Sequence, residues 1–280
     1  MKVLRPLFAL VAMLSLVLTG TSTAGAAVRG TGTGSAASAS ASGLKCSGTL
    51  VSPGNIAPGT YSSITVVGFC LGPPSGNVIV KDDVTVAKGA ALGANYPALA
   101  KGAPEGDANW LVKGNVDVDK GGTLLLGCEP AVGCVKTTFD AVKGNVIANG
   151  ALGVILHSSI IGGNVSYTGG GGGLNCTPGF GPFSFGVYSD AEDDVIHGNL
   201  TVTGLRSCWF GEFRNIIMSN DTVTGNRFAD PDATEVANNE VFGNLACSNN
   251  VPVAQFGDSV QPPNVVFGAI TGECKPLSIH

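Results

Sequence analysis

The sequence predicts an all-β chain wound as a right-handed parallel β-helix, a β-solenoid whose loops are stapled by disulfides. Three observations lead there. The tripeptide Gly-Asn-(Val/Leu) recurs at 76–78, 114–116, 144–146, 163–165, 198–200 and 243–245. Between two of these units, residues 142–165 hold short apolar runs, Val146-Ile147, Val154-Ile155-Leu156 and Ile160-Ile161, separated by Gly, Asn and Ser. That is the pattern of three short strands and three corners that return to their start one layer up. The chain is also rich in glycine (42 residues) and poor in charge (12%), as tight, stacked coils require. The right hand follows from the general rule for parallel crossovers.

Residues 1–26 read as a signal peptide. Lys2 and Arg5 form a basic start, residues 7–18 contain a single polar side chain, and Ala24-Gly25-Ala26 fits a cleavage site. The apolar run is too short to span a bilayer, which takes about 20 residues, so no transmembrane segment is expected in the mature chain. Residues 27–43 are a Gly/Ser/Ala-rich stretch without apolar periodicity, expected to be a flexible leader. Residues 44–280 read as one β-solenoid domain. The expected location is secreted, outside the cell.

Eight cysteines, none in a Cys-x-x-Cys pair, fit an oxidising compartment better than zinc or thioredoxin chemistry. Eight cysteines allow 105 connectivities. Their order along the chain suggests neighbours pairing: Cys46 with Cys70, Cys128 with Cys134, Cys176 with Cys208, and Cys247 with Cys274. The first and last of these are placed to close the end coils, whose strand edges would otherwise lie open to self-assembly.

Without Lys2 and Arg5 of the expected signal peptide, 13 Lys and Arg face 20 Asp and Glu. A surface of that sign repels nucleic acid and anionic membranes, so no nucleic-acid partner is expected.

The repeat spacings are 38, 30, 19, 35 and 45 residues. With about 19 residues to a bare coil, on solenoid logic, the 38 reads as two coils and the 30 as one coil carrying a loop. The 45 divides at Gly225-Asn226. The glycine is expected to supply a left-handed corner. The asparagines Asn77, Asn115, Asn145, Asn164, Asn199 and Asn244 are expected to stack amide on amide. Alternation then points Val78/Val80, Val84/Val86, Val116/Val118, Leu124/Leu126, Val154/Leu156 and Leu200/Val202 inward, in a helix of roughly eight to ten coils.

These GNV and GNL units stand behind a signal peptide and close on Gly243-Asn244-Leu245-Ala246-Cys247-Ser248-Asn249-Asn250 and a last Cys274. In this the chain resembles a group of secreted bacterial right-handed β-helix proteins over roughly residues 70–274. The resemblance implies the fold and no particular activity, since members of the group mostly lack an assigned one. β-Helix pectate lyases share the architecture, but their catalytic Arg/Lys pattern does not map onto this chain.

The segment 167–213 concentrates eight of the 18 aromatic residues, which marks it as the candidate binding region: Tyr167, Phe180, Phe183, Phe185, Tyr188, Trp209, Phe210 and Phe213. Tyr188, Trp209, Phe210 and Phe213 are the candidate ligand-binding residues, as rings that stack on sugars. The plainer reading is a lateral mini-core. Within the same segment Asp190, Glu192, Asp193 and Asp194 pack four carboxylates into five positions. They read first as a solvated turn; the alternatives are a calcium site or the carboxylate pair of a glycoside hydrolase. Arg206 and Arg214, flanking Trp209 with Glu212 between them, read as rim salt bridges or as the base and neutraliser of a lyase. His157 and His197 are expected to face solvent, so no metal site and no cofactor are expected. Thr201-Val-Thr203 resembles one rung of the Thr-x-Thr faces of ice-binding solenoids, but no flat threonine array is expected, because the pattern does not recur at coil spacing.

The expected function is therefore a non-catalytic extracellular protein, structural or glycan-binding at the cell surface, with a polysaccharide or cell-wall glycan as partner. The alternative is a β-helix polysaccharide lyase or glycoside hydrolase using Asp190, Glu192, Asp193, Asp194, Arg206 and Arg214.

Overall fold

A computed structural model describes residues 42–95, 108–130, 136–177 and 186–280. The expected signal peptide, nearly all of the leader, Cys134, and Phe180, Phe183 and Phe185 lie outside the described residues. Ser40–His280 form one compact unit. The fold is all-β, and among the described residues the strands pair in parallel: three sheets of ten, eight and ten strands, and a two-stranded ribbon. Through the coil of Glu235–Ala237, each coil contributes one strand to each sheet in turn, as Val146–Asn149, Gly153–His157 and Ser159–Ile161 do before Val165–Thr168 begins the next; the last coils add strands to the first and third sheets. Val146 pairs with Val165, so the bare coil is the 19-residue repeat itself. No helix among the described residues is long and apolar enough to cross a membrane.

Burial follows the strand alternation. The inward series named above, from Val78 to Val202, is 0–2% exposed and forms one continuous core. Each such side chain stacks on its equivalent in the coil above and below, so the core is a set of columns, each buried by its neighbours.

The corners are held by asparagine ladders. On the outside, between the third and first sheets, Asp83, Asn115, Asn145, Asn164, Asn199, Asn220 and Asn244 form one column. Each side-chain oxygen accepts the backbone N–H of the next member, at 2.6–3.1 Å. Two readings of the repeat need correction here. Asn77 opens the strand Asn77–Val80 of the third sheet, opposite Asn109, and lies outside this column. The column member of that coil is Asp83, so the 38-residue spacing spans one long coil and part of another. The 45-residue spacing divides at Asn220, not at Asn226, which belongs to a separate buried ladder with Asn250.

The glycines of the repeat serve a different purpose from the one expected. Gly114, Gly144, Gly163, Gly198 and Gly243 have no left-handed backbone; of the repeat glycines only Gly76 does, at φ 88°. They are required by close approach. A Cβ on Gly144 would lie 2.5 Å from Asn115 Oδ1 and 2.6 Å from the Gly114 carbonyl oxygen. The coils meet backbone to backbone at this corner, and no larger residue fits between them.

A second, buried ladder runs between the second and third sheets. Ser159 donates its N–H to Asp194, Asp194 to Asn215, Asn215 to Asn239 and Asn239 to Asn264, at 2.8–3.0 Å. One residue ahead of this ladder stands a column of left-handed corners: Ser158, Asp193, Arg214 and Asn238, with φ of 50–57°. Disulfides join Cys46 to Cys70, Cys176 to Cys208 and Cys247 to Cys274. Cys128 is also disulfide-bonded. The first and last of the three lie inside the core, at the two ends of the stack. Such bonds suit an oxidising compartment, and the fold with its disulfides fits an extracellular protein.

Candidate functional site

The outer face of the second sheet carries the chemistry. The strands Gly153–His157, Tyr188–Glu192, Trp209–Phe213 and Glu235–Ala237 lie side by side there. Leu156, Ala191, Glu212 and Val236 share one register and point into the core. Pleating therefore sends the residues on either side of them outward. The outward rows are Tyr188 beside Trp209, Asp190 beside Gly211 and Glu235, and His157 beside Glu192 and Phe213.

The first row is aromatic. The Tyr188 and Trp209 rings meet edge to face at 5.9 Å, and Trp209 stacks on Phe213 at 6.1 Å. Gly211 lies beneath this pair, where any Cβ would overlap both the Trp209 and the Phe213 rings. The indole N–H of Trp209 donates to Glu235 Oε1 at 3.0 Å. Burial pushes the Glu235 carboxyl up to about 7, and the indole bond offsets part of that. Tyr188 and Trp209 are half-buried, whereas Phe213 is closed beneath Trp209 and the Arg214 guanidinium. Phe210 is not a surface ring: it points inward, is fully buried and stacks on Phe228 at 6.2 Å. The strand alternation that exposes Trp209 forces its neighbour into the core.

The second cluster is charged. Asp190 and Asp194 are buried, so 190–194 is not a solvated turn. His157 faces outward from the sheet yet is 2% exposed, because the cluster closes over it; its Nε2 lies 3.1 Å from Asp190 Oδ2. Burial by itself lowers the His157 pKa, but Asp190, then Glu192 and Asp194, outweigh it and push it up to about 9. Burial raises the Asp190 carboxyl, with His157 pulling the other way, and holds Asp194 well above the usual carboxylate range. Burial, then Asp190, pushes Glu192 up to about 7.

Arg214 binds three carboxylates: Asp193 Oδ2 at 2.6 Å, Glu192 Oε2 at 2.9 Å and Glu129 Oε1 at 3.4 Å. Burial would raise Asp193, but the Arg214 hydrogen bonds hold it below its ordinary value. The left-handed backbone at Arg214 costs about 1–2 kcal/mol in a residue with a Cβ, which this network offsets. Arg206, by contrast, is exposed in the ribbon beside Arg227 and takes no part in the cluster. His197 is exposed.

Three acidic positions escaped the sequence reading. Glu129 follows Cys128, far from the acidic run in sequence. Glu235 carried no signal beyond its charge. Glu212 was read as a rim residue, yet it is fully buried in the core; its phase with Phe210 on one strand was the signal. The hydroxyl pattern also needs correction. Thr201 and Thr203 pair in register with Ser166 and Thr168 on one side and Thr222 and Thr224 on the other. The irregular spacing had hidden that array.

Fold and site together define a disulfide-stapled parallel β-solenoid with an aromatic and acidic face on its second sheet. No protein-family model, no curated protein and no solved structure matches this chain.

Proposed function

We propose that the protein is a secreted, non-catalytic β-solenoid that binds polysaccharide at the cell surface through the face around Trp209. The carrying observation is the Tyr188–Trp209 pair. Two half-buried rings are locked at 5.9 Å, and the indole N–H is fixed on Glu235. Rigid amphipathic rings beside a carboxyl offer a stacking surface and a hydrogen-bonding group to a sugar at little cost in side-chain entropy.

Affinity electrophoresis through gels containing neutral or acidic polysaccharides tests this. Retardation of the wild type that is lost in Trp209→Ala supports the reading. Equal mobility of both on every gel sinks it and leaves a scaffold protein.

One observation favours a second reading, a polysaccharide lyase or hydrolase: His157, Glu192 and Arg214 converge within one cluster. Against it, Asp190 and Asp194 are closed from solvent, and Asp193 and Glu192 are occupied by Arg214. Release of unsaturated or reducing ends from a retarded polysaccharide, abolished in Glu192→Gln, would establish the enzyme.

A further inference from the structure

We propose that Glu129, His157 and Glu192 form a binding site for a divalent transition metal where two central strands of the second sheet end. One ring nitrogen of His157 and one carboxylate oxygen from each glutamate lie within 4.8 Å of one another. A shared ion at about 2.0–2.2 Å from each donor requires only a small inward rotation of these side chains. The three come from different coils. His157 and Glu192 end adjacent strands in register, and Glu129 follows the disulfide-bonded Cys128.

Two further observations point to an ion. The first is the imidazole. His157 is almost fully buried, its Nε2 faces Asp190, and its Nδ1 meets no hydrogen-bond partner among the described residues. A carboxylate that fixes one ring nitrogen and leaves the other for the ion is the usual support for a metal-binding histidine. The second is charge. Glu129, Asp190, Glu192, Asp193 and Asp194 are five carboxylates, and among the described residues His157 and Arg214 stand against them. A divalent ion would offset part of that negative charge at the place where the three donors converge. Arg214 keeps its shortest contact, to Asp193, when the glutamates turn to the ion.

One nitrogen and two carboxylate oxygens suit Zn²⁺ or Mn²⁺. Calcium takes six to eight oxygens and gains nothing from imidazole. The site is independent of the glycan reading, and neither Tyr188 nor Trp209 belongs to it.

The test is isothermal titration and elemental analysis of the metal-stripped full chain with ZnCl₂, MnCl₂ and CaCl₂. The expected result is one equivalent of Zn²⁺ or Mn²⁺ per chain and a raised thermal midpoint. Affinity should fall at least tenfold in His157→Gln and in Glu129→Gln, the scale on which metal sites respond to their supporting groups. Glu129 is nearer the surface than His157, so its variant decides the matter if His157→Gln does not fold. Failure of both transition metals to bind at millimolar concentration overturns the proposal, as does binding unchanged in Glu129→Gln. Calcium binding that survives His157→Gln overturns the role of the imidazole.

Discussion

Glu212 and Asp221 face each other inside the core, and they make the stability of this protein fall as pH rises. Glu212 projects inward from the second sheet between Ala191 and Val236; Asp221 projects inward from the first between Leu200 and Leu245. Both are fully buried; beyond each other, the one donor near either carboxylate among the described residues is the Thr222 N–H beside Asp221, and it makes no well-aligned hydrogen bond. The nearby Tyr167 hydroxyl is engaged with the Asp190 carbonyl at 3.0 Å. Two carboxyls in that setting must bring their own proton. Burial, then the Asp221 charge, holds Glu212 well above its ordinary range, and burial pushes Asp221 up to about 7.

The unfolded chain ionises both groups near their ordinary values, about 4. Their contribution is therefore fully present below that pH and is lost as pH rises toward and through 7. Each carboxyl that stays protonated only in the folded state withdraws about 1.4 kcal/mol per pH unit. From pH 5 to pH 7 that is roughly 2 kcal/mol at Asp221 alone, which is half ionised by pH 7. Urea unfolding of the wild type and of the double variant Glu212→Gln/Asp221→Asn, at pH 5 and pH 7, measures it. The other raised carboxyls, among them Asp140, Asp190, Glu192, Asp194 and Glu235, are present in both proteins and cancel. The stability gap should move in favour of the variant by at least that amount, since Glu212 adds to it. Parallel pH profiles would show that the pair carries no excess proton, and the reasoning would fail.

Two further outcomes follow from the corners and the aromatic face. Asn239 receives the N–H and amide of Asn215 and donates to Asn264 Oδ1 and the Glu212 carbonyl, all out of solvent. Asn239→Ala therefore strands buried donors, at about 1–3 kcal/mol each, whereas Asn164→Ala, on the exposed ladder, should cost markedly less in the same chemical denaturation. At Gly211, Gly211→Ala should force Trp209 off Phe213. Its near-ultraviolet circular dichroism and its polysaccharide retardation should both change while far-ultraviolet strand content holds; an unchanged aromatic spectrum would refute the close contact.

The parts of this protein legible from sequence are those that depend on local chemistry. Alternation of Val and Leu named the core, because a strand side chain can face only one of two ways. The repeated Gly-Asn announced stacked coils, since a corner that meets its copy must be small and self-complementary. Chain order also suggested partners for the cysteines that the structure joins. Register was a different matter. Inserts of different length between coils disguised which asparagine sits over which, so Asn77 was enlisted and Asn220 overlooked. The same inserts hid the match of Thr201/Thr203 with Thr222/Thr224.

Only the tertiary structure decided burial on the outside of the sheet. Asp190 and His157 stand where a strand pattern predicts solvent, and they are closed off by residues distant in sequence, such as Glu129 and Arg214. Alternation reports the face from which a side chain leaves the sheet. What then covers that face depends on long-range packing, and so did the assembly of the charged cluster.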